Sequence, residues 1–381
     1  MAVPLDQLVH VSFLIRDGEE SKSFKGLVEE YMAPAMLAQA RFIDQIVLGQ
    51  YAQFLSNIYG HLNTLSSSNG KDYMLGTRNV MNVNKAYMQS RNLILTPASE
   101  TELLKMDLFV QAQQVGDDGT ALREAFLGRK FGFNTYMCQN MSYIATGNTV
   151  ITNGLVNNAA GYPAGTTTLT VDGFNAALPV GSYITIAGDD TPQRIVSSTG
   201  GSTPTEMVIY PGLKYAVVDN ATTVRYVPGA VNLSGGYPVA YSKEITVNTF
   251  TVAPQVGQLV TFGVGAPSTT AVYTIIGVNA LVGITLDRPL EVALSNTDAV
   301  NIGPAGNYNF AFHRNALALV VRPLATPRPG TGALSSVVNN NGFSVRAVIT
   351  YDGKAQGHRV TLDMLCGVKV LDTKLGCVML G

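Results

Sequence analysis

The feature that most constrains this chain is an internal repeat at a spacing of 76 residues. The residues that match at this spacing are Thr170-Val171 and Thr246-Val247, Phe174 and Phe250, Val180-Gly181 and Val256-Gly257, Thr185 and Thr261, Asn220 and Asn296, and Val224 and Val300. Near the end of each copy, Pro211-Gly212-Leu213 corresponds to Arg288-Pro289-Leu290 within about one residue of register. Agreement on one offset at both ends indicates duplication, with copies at about 166–227 and 242–303 and a Gly- and Pro-rich joint at 227–241.

The region around the repeat has its own composition. Beyond Met141, Thr, Val, Gly, Asn and Ala dominate, and Lys and Arg nearly vanish. Short β-prone runs alternate there with Gly, Pro and Asn turns, which is typical of all-β structure. Residues 146–305 are therefore predicted to form an all-β insertion of two tandem modules.

The whole chain is poor in charge. Of its 381 residues 46 % are apolar and only 13 % are charged, about half of the ~25 % usual in soluble proteins. Because the chain carries few charges, electrostatic repulsion between folded copies is weak. We therefore expect much of the surface to be buried against copies of the same chain. The formal net charge of −1 argues against general nucleic-acid binding, which needs a basic excess.

A long helix is predicted ahead of the insertion. Its apolar stripe has spacings of three and four residues and comprises Met36, Ala40, Ile43, Val47, Tyr51, Phe54, Ile58 and Leu62. Pro34 suits the first turn, and Gly60 ends the helix near the polar linker 63–70. At 1.5 Å per residue, 34–59 would be roughly 39 Å long. No equally strong partner helix follows, so we expect this helix to lie across a sheet.

Alternating residues predict strands at both ends of the chain. Val9, Val11, Phe13 and Ile15 alternate with more polar residues, and Asp17-Gly18 turns the chain. Phe343 to Tyr351 alternates in the same way, and Arg359 to Cys366 is expected to return beside it as an antiparallel hairpin. The Pro-, Gly-, Ser- and Asn-rich segment 325–342 is interpreted as a loop.

The part between the long helix and the insertion mixes both types of element. Residues 79–90 are predicted to be helical, with Val80, Val83 and Tyr87 on one face, and 91–97 to be a buried strand that Pro97 ends. Ser99 and Glu102 have capping-box spacing for a further helix. A short helix or turn at 120–126 leads into a strand at 130–137, which makes this part α+β.

No residue pattern indicates a catalytic, cofactor or metal site. None of His10, His61, His313 and His358 has metal-ligand spacing to another His or Cys, and Cys138, Cys366 and Cys377 are interpreted as buried reduced thiols.

Asp117-Asp118 could hold a divalent cation, but the further oxygen ligands of a calcium loop are missing and a solvated loop is favoured. Gly263-Val264-Gly265 lacks the features of a phosphate loop, and His313-Arg314 is favoured as a structural pair over a site. We therefore predict no enzyme activity.

The N-terminus and the hydropathy pattern bear on localisation. No basic-then-apolar signal peptide begins the chain, and no apolar run reaches the ~18 residues of a membrane span. A soluble chain that is made inside a cell is expected.

The order of these segments resembles that of the major capsid (coat) proteins of tailed bacteriophages, whose fold is shared with herpesvirus shells. The branch that carries a β-barrel insertion domain is the most similar. The segments that carry the resemblance are the helix 36–62, the strand 91–97 with Leu103-Leu104, the "G-x-x-x-G-F-x-x-Y" run in 127–136, the return strand 310–324, and the endings 362–372 and 375–378. Two departures are the short segment of about thirty residues before the helix and an insertion that exceeds a single barrel.

The resemblance implies an α+β capsid fold with a long spine helix. The implied domains are an N-terminal arm or extended loop at 1–28, the spine helix of the peripheral domain at 29–63, an axial domain at 64–145, the duplicated insertion at 146–305, and a return to the axial and peripheral core with a C-terminal β-hairpin at 306–381. The implied function is self-assembly into pentamers and hexamers that form an icosahedral head around double-stranded DNA, built in the host cytoplasm.

The implied partners are the chain itself, a scaffolding protein and a portal, with a decoration protein left open. The packaged DNA would be enclosed without specific binding, and no membrane is involved. Two other hypotheses are a β-rich adhesion or fibre protein whose tandem modules bind glycans or receptors, and a hydrolase with an unrecognised site. The long helix and the missing secretion signal weigh against the first, and the scarcity of His and acidic clusters weighs against the second.

Overall fold

A computed structural model describes residues 2–381 except 22–26, 112–123, 126, 142, 145–148, 228–232, 235–241, 249, 251–253, 264–270, 280, 297, 329 and 331. The chain contains both helices and strands, so the predicted α+β class is confirmed. The chain divides into two compact units. The first unit is Met1–Val47 with Leu317–Leu371, and the second is Leu48–Ala316 with Asp372–Gly381.

The helices lie in the first third of the chain, apart from one turn near the C-terminus. They are α1 Asp17–Glu20, α2 Leu27–Gly49, a 3₁₀ helix Gln50–Phe54, α3 Gly70–Val83, α4 Pro97–Leu104, α5 Asp107–Val110 and a 3₁₀ helix Thr373–Leu375.

The strands run through the whole chain. They are β1 Gln7–Arg16, β2 Ile58–Tyr59, β3 Arg91–Leu95, β4 Arg129–Lys130, β5 Phe133–Met137, β6 Tyr143–Ile144, β7 Thr149–Val156, β8 Thr168–Asp172, β9 Tyr183–Ile186, β10 Gln193–Thr199, β11 Glu206–Tyr210, β12 Thr222–Val227, β13 Glu244–Thr246, β14 Leu259–Gly263, β15 Tyr273–Asn279, β16 Gly283–Leu286, β17 Ala299–Ile302, β18 Gly306–His313, β19 Leu317–Arg322, β20 Leu334–Asn340, β21 Phe343–Asp352, β22 Gly357–Val370 and β23 Gly376–Leu380.

The first unit is built on a five-stranded sheet. Its strand order is β1-β22-β21-β20, and β19 also pairs with the long strand β22. The predicted strand at 9–15 and the predicted antiparallel hairpin near the C-terminus are confirmed as β1 and as β21 with β22. Asp17-Gly18 does not form a simple turn, since both residues begin α1.

Helix α2 packs against this sheet, as expected for a helix without a partner helix. Gln39 Nε2 donates to the Leu362 carbonyl of β22 at 2.6 Å, and Gln39 is buried with Ala35, Ile43 and Ile46. The predicted apolar stripe is therefore about one residue out of phase, and Met36 is exposed. The reason is that a polar residue can take the facing position when the sheet offers it a hydrogen-bond acceptor.

The bounds of the long helix also differ from the prediction. Helix α2 begins seven residues before Pro34, which lies inside it, and Ile58 lies in the strand β2. The 23 residues of α2 span roughly 35 Å, and a 3₁₀ turn follows. Three- and four-residue spacing predicts helix in general and does not distinguish an α-helix from the tighter 3₁₀ turn that continues it.

The second unit contains a seven-stranded sheet in the order β2-β23-β18-β3-β5-β4, with β6 on β18. The predicted strand at 91–97 is confirmed as β3. The single strand predicted at 130–137 is instead β5, which forms a tight antiparallel hairpin with the short strand β4. Strand β18 lies between β23 and β3, so the apolar run 310–324 is two strands, β18 and β19, with a turn between them.

Two helix predictions in this unit are wrong in detail. The helix predicted at 79–90 is α3, which ends at Val83, and Val83 and Tyr87 are exposed. Its buried face holds Tyr73, Met74, Thr77 and Met81, because α3 begins at Gly70, nine residues before the predicted start. Helix α4 is capped by Thr96, whose side-chain oxygen accepts from Ser99 N at 3.2 Å, because Pro97 already takes the first helical position.

The predicted all-β region folds into two modules of the second unit. The first module, β7 to β12, is a closed barrel in the order β10-β11-β8-β7-β12-β9. The second module, β13 to β17, is a sheet in the order β13-β16-β15-β14-β17. With β13 to β17 taken as the equivalents of β8 to β12, every strand pair of the second module has its counterpart in the barrel.

The equivalent positions agree in burial as well as in pairing. The buried pairs are Leu169 and Ile245, Val171 and Val247, Phe174 and Phe250, Ile184 and Val260, Ile186 and Phe262, Ile195 and Ile275, Ile209 and Leu286, Leu213 and Leu290, and Val217 and Leu294. The spacing of 76 residues holds for β8 and β9, but it becomes 80 for β10 and 77 for β11, because the loops on either side of β10 differ in length.

The barrel strand β7 has a single-residue counterpart in the described part of the second module. Leu233 bridges Val247 and donates its N–H to the Asp298 carbonyl at 3.2 Å. Val156 of β7 pairs with Val171 and donates to the Ala221 carbonyl at 3.0 Å. The two contacts are equivalent, so the similarity between the modules begins before residue 242, the predicted start of the second copy.

Candidate assembly surfaces

The residues that the sequence singled out for chemistry do not converge. His10 and His358 are exposed on β1 and β22, and His61 stacks on Tyr215 with ring centroids 4.5 Å apart. Among the described residues, no group of three or more His, Cys, Asp or Glu side chains could hold a metal ion. Asp117-Asp118 and Val264-Gly265 lie outside the described residues.

The three cysteines, all among the described residues, are not joined by disulfides. Cys366 and Cys377 are buried, and Cys138 is half-buried. Burial raises the pKa of Cys377 to about 12, so its thiol stays protonated at neutral pH and is a poor nucleophile. No helix within the described ranges is long and apolar enough to cross a membrane.

His313 is the last residue of β18, and Arg314 begins the turn that follows. The His313 ring lies 5.4 Å from the Tyr87 ring, and His313 Nδ1 accepts from Asn315 N at 3.2 Å. Burial, together with the positive charges of Arg314 and Arg91, lowers the pKa of His313, so the ring is neutral at pH 7. The pair lies next to an exposed surface, and its structural role stays a prediction.

That surface is the loop 83–88 of the second unit, where Val83, Tyr87 and Met88 are large, apolar and exposed. Arg91 holds the loop from below, because its Nε donates to the Tyr87 carbonyl and its Nη2 to the Ala86 carbonyl, both at 2.7 Å. An apolar loop with a fixed backbone loses little conformational freedom when it is covered.

The first unit has a second exposed surface, the β20 edge, formed by 334–340. Strand β20 pairs with β21 on one side, and the described residues provide no partner for its other side. All seven residues are exposed, including Leu334 at 73 % and Val338 at 63 %. The strand has neither a charged residue nor a proline, which are the usual means by which proteins keep an open sheet edge from pairing.

The loop predicted at 325–342 is wrong in its second half, which contains β20. Asn340 pairs with Phe343, and Asn341 and Gly342 between them both have positive φ, at +49° and +85°. Asn-Gly between two strands is the strongest short-range signal for a hairpin. That dipeptide, together with Val337-Val338, was the signal that could have identified β20.

The sheet behind the β20 edge is held in place by a buried ion pair. Arg346 of β21 donates from Nε and Nη2 to the two carboxylate oxygens of Asp363 on β22, at 2.8 and 2.5 Å. Asp363 is buried, and the two residues are directly opposite in the strand register. Two parallel hydrogen bonds between charged groups fix geometry as well as energy, so the edge is presented by a rigid sheet.

The chain is similar to a chain of Mycobacterium phage Che8, with 9 % sequence identity and a TM-score of 0.43, over 99 % of this chain and 71 % of that one. It is similar to a chain in the capsid of the cyanophage P-SCSP1u, with 13 % identity and a TM-score of 0.31, over 57 % and 71 %. A chain of the mature capsid of bacteriophage PhiM1 has 11 % identity and a TM-score of 0.25, over 57 % and 69 %. No protein-family model and no curated protein matches the chain. Because these TM-scores are below 0.5, the likenesses carry no argument about function.

Proposed function

We propose that this chain is the major capsid protein of a tailed bacteriophage, which assembles into pentamers and hexamers of an icosahedral head around double-stranded DNA. The observation that carries the proposal is the β20 edge, an uncharged and fully exposed strand on a rigid sheet. Its occupant is a second copy of this chain. The order of sequence segments described above supports the same family.

An open strand edge is a template for pairing, because its free N–H and C=O groups can extend the sheet into another chain. Low charge favours identical copies as that other chain. With 13 % charged residues and a net charge of −1, repulsion between copies is weak. A contact between the β20 edge and a different surface of the next copy is heterologous, and such contacts close into rings when the rotation allows it.

The partners of the assembled head belong to the same proposal. A scaffolding protein and a portal are those of the resembled family, and a decoration protein would bind outside the shell. The DNA is enclosed without specific contacts, in keeping with the near-neutral chain. Assembly in the host cytoplasm and location in the virion follow from this role, and the two β modules are the insertion of the capsid subunit.

The direct test is negative-stain electron microscopy and analytical ultracentrifugation of the purified chain, with and without a co-expressed scaffold. Rings or closed particles are expected. A strictly monomeric sedimentation profile at high concentration, together with hydrolase activity, would contradict the proposal. Monomers that bind glycans through the two modules would favour the adhesion or fibre hypothesis instead.

A matched pair of substitutions tests the β20 edge itself. Val338→Lys places a charge on the exposed edge, and Val218→Lys places the same charge at an exposed valine of the first module. The two valines are 63 % and 71 % exposed, so neither change should unfold the chain. We expect Val338→Lys to abolish or strongly reduce particles and Val218→Lys to leave them unchanged. Equal particle yields from both variants would show that the β20 edge is not an assembly contact.

A further inference from the structure

The outer face of the first module carries an arginine with an unusual environment. Arg194 on β10 lies directly opposite Tyr210 on β11 and Tyr183 on β9 in the strand register. Its neighbour Ile195 points into the barrel core, so the Arg194 side chain is on the outside of the barrel wall. Even so, Arg194 is only 1 % exposed, because the Tyr210 ring and residues of the second unit cover it.

This buried cation has no hydrogen-bond partner among the described residues. None of them accepts from Nε, Nη1 or Nη2 of Arg194. The Tyr210 ring, with its centroid 5.6 Å from the guanidinium carbon, supplies a cation–π contact. Such a contact replaces a small part of the hydration that burial removes, and a buried charge without an ionic partner is costly. Burial accordingly lowers the pKa of Arg194 from its usual value.

A cavity adjoins this arginine. It has a volume of about 250 Å³, and Arg194, Tyr210, Gln53 and Arg288 are among the residues that line it. Since a water molecule takes about 30 Å³ in the liquid, there is room for a small anion and several waters. Arg288 is already paired with Asp287 and Glu291, each at 3.0 Å, which leaves Arg194 as the cation whose charge is uncompensated.

We propose that this cavity is a binding site for a small oxyanion of the phosphate or carboxylate class, whose charge Arg194 neutralises. The planar guanidinium offers two parallel N–H groups, which match two oxygens of such an anion. Tyr210 is 43 % exposed, and its side chain must move off the guanidinium for an anion to reach it. The site belongs to the single chain and does not depend on assembly.

The test compares the thermal unfolding of the wild type in inorganic phosphate, in acetate and in chloride at equal ionic strength and pH. A ligand that binds only the folded state raises Tm as its concentration rises. We expect phosphate or acetate to raise Tm beyond chloride in the wild type. In Arg194→Met, binding measured by calorimetry should weaken about tenfold or more, because a charged hydrogen-bond partner is lost.

Two further variants keep the result interpretable. Arg359→Met removes an exposed arginine of the first unit that is paired with Asp352, and it should keep the full response to the anions. Arg194→Lys keeps the charge without the planar fork and should bind the anion with intermediate affinity. No response of the wild type beyond chloride, or the same response in Arg194→Met, would overturn the proposal.

Discussion

The two β modules share a strand order and a set of buried residues, yet their outer faces differ at equivalent positions. In the first module, Arg194 faces Tyr210, and its guanidinium has no hydrogen-bond partner among the described residues. In the second module, the equivalent residues are Thr274 and Asp287, and Thr274 N donates to the Asp287 carboxylate at 2.8 Å. Thr274 also donates from its hydroxyl to the Gly49 carbonyl at 2.7 Å.

The difference shows which positions of the module are constrained by the barrel itself. Residues that face inward must fill one shared core, so they stay apolar in both modules. The residue types that face outward are constrained instead by the segments that pack over them. The second module uses its outer pair to bond the segment at Gly49 and Gln50, whereas the first module leaves a cavity at the same place.

The largest expected effect comes from the equivalent core phenylalanines. Phe174→Ala and Phe250→Ala should each lower the free energy of unfolding by about 3–5 kcal/mol, because each removes a buried ring and leaves a cavity. The first site is tightly packed, since a Cβ on Gly154 would lie 2.3 Å from the Phe174 ring. Urea denaturation measures both losses. Phe343→Ala, at a more exposed ring, is the control. A loss below about 1 kcal/mol in Phe250→Ala would show that the two cores are not equivalent.

The next prediction concerns the outer pair. Asp287→Ala should cost about 3 kcal/mol, because Arg288 loses a buried ionic partner and Thr274 N loses its acceptor. Tyr210→Ala at the equivalent place should cost about 1 kcal/mol or less, because it removes a half-exposed ring and one cation–π contact. Differential scanning calorimetry of the two variants gives the comparison. Equal losses would mean that the outer faces are not used differently.

A smaller effect is expected where each module contacts the segment 49–61. Tyr51 donates from its hydroxyl to the Gly257 carbonyl of the second module at 2.8 Å. The Tyr215 hydroxyl of the first module accepts from Gly60 N at 3.0 Å. Tyr51→Phe and Tyr215→Phe should each cost about 1 kcal/mol, the net worth of one hydrogen bond. A much larger loss from one of them, measured by urea denaturation, would identify that module as the more firmly attached.

A pH dependence is expected at Tyr215 of the first module. Burial raises the pKa of Tyr215 to about 12, above the value of about 10 for an unfolded tyrosine. Between these values the unfolded chain releases the proton and the folded chain keeps it, so stability should fall as pH rises from about 10 towards 12. Tyr215→Phe should show a shallower fall in the same range. The equivalent residue of the second module is Val292, which does not titrate, and identical slopes for wild type and variant would contradict the assignment.

Much of the local structure could be predicted from period and spacing. Alternation at Val9 to Ile15 and at Phe343 to Tyr351 correctly predicts β1 and β21. Burial alternates along much of β1, whereas most residues of β21 are half-buried on both faces. Spacing was less reliable in helices. The stripe from Met36 was out of phase with the buried face, because Gln39 is satisfied by a carbonyl that is far away in the sequence. The capping residue Thr96 was missed because a proline next to it was interpreted as an end rather than a beginning.

The candidate surfaces could be predicted less well. The Asn-Gly turn at 341–342 indicates a hairpin, but nothing local shows that its first strand, β20, lies at the open edge of a sheet. The environment of Arg194 gave no local signal either. An arginine in a β-prone run is expected to reach solvent, and it is the covering by Tyr210 and by residues around Gln53 that buries it.

By itself, then, the sequence determined the strand periodicity, the low charge and the repeat, and with them the existence of two related β modules. These are local or additive properties, which a chain displays without reference to its distant parts. The tertiary structure alone decided that the described residues leave one side of β20 without a partner, that Leu233 makes the contact equivalent to that of Val156, and that Arg194 is buried beside a cavity. The physical reason is that burial depends on contacts between residues far apart in the chain, whereas periodicity settles only which side chains share a face.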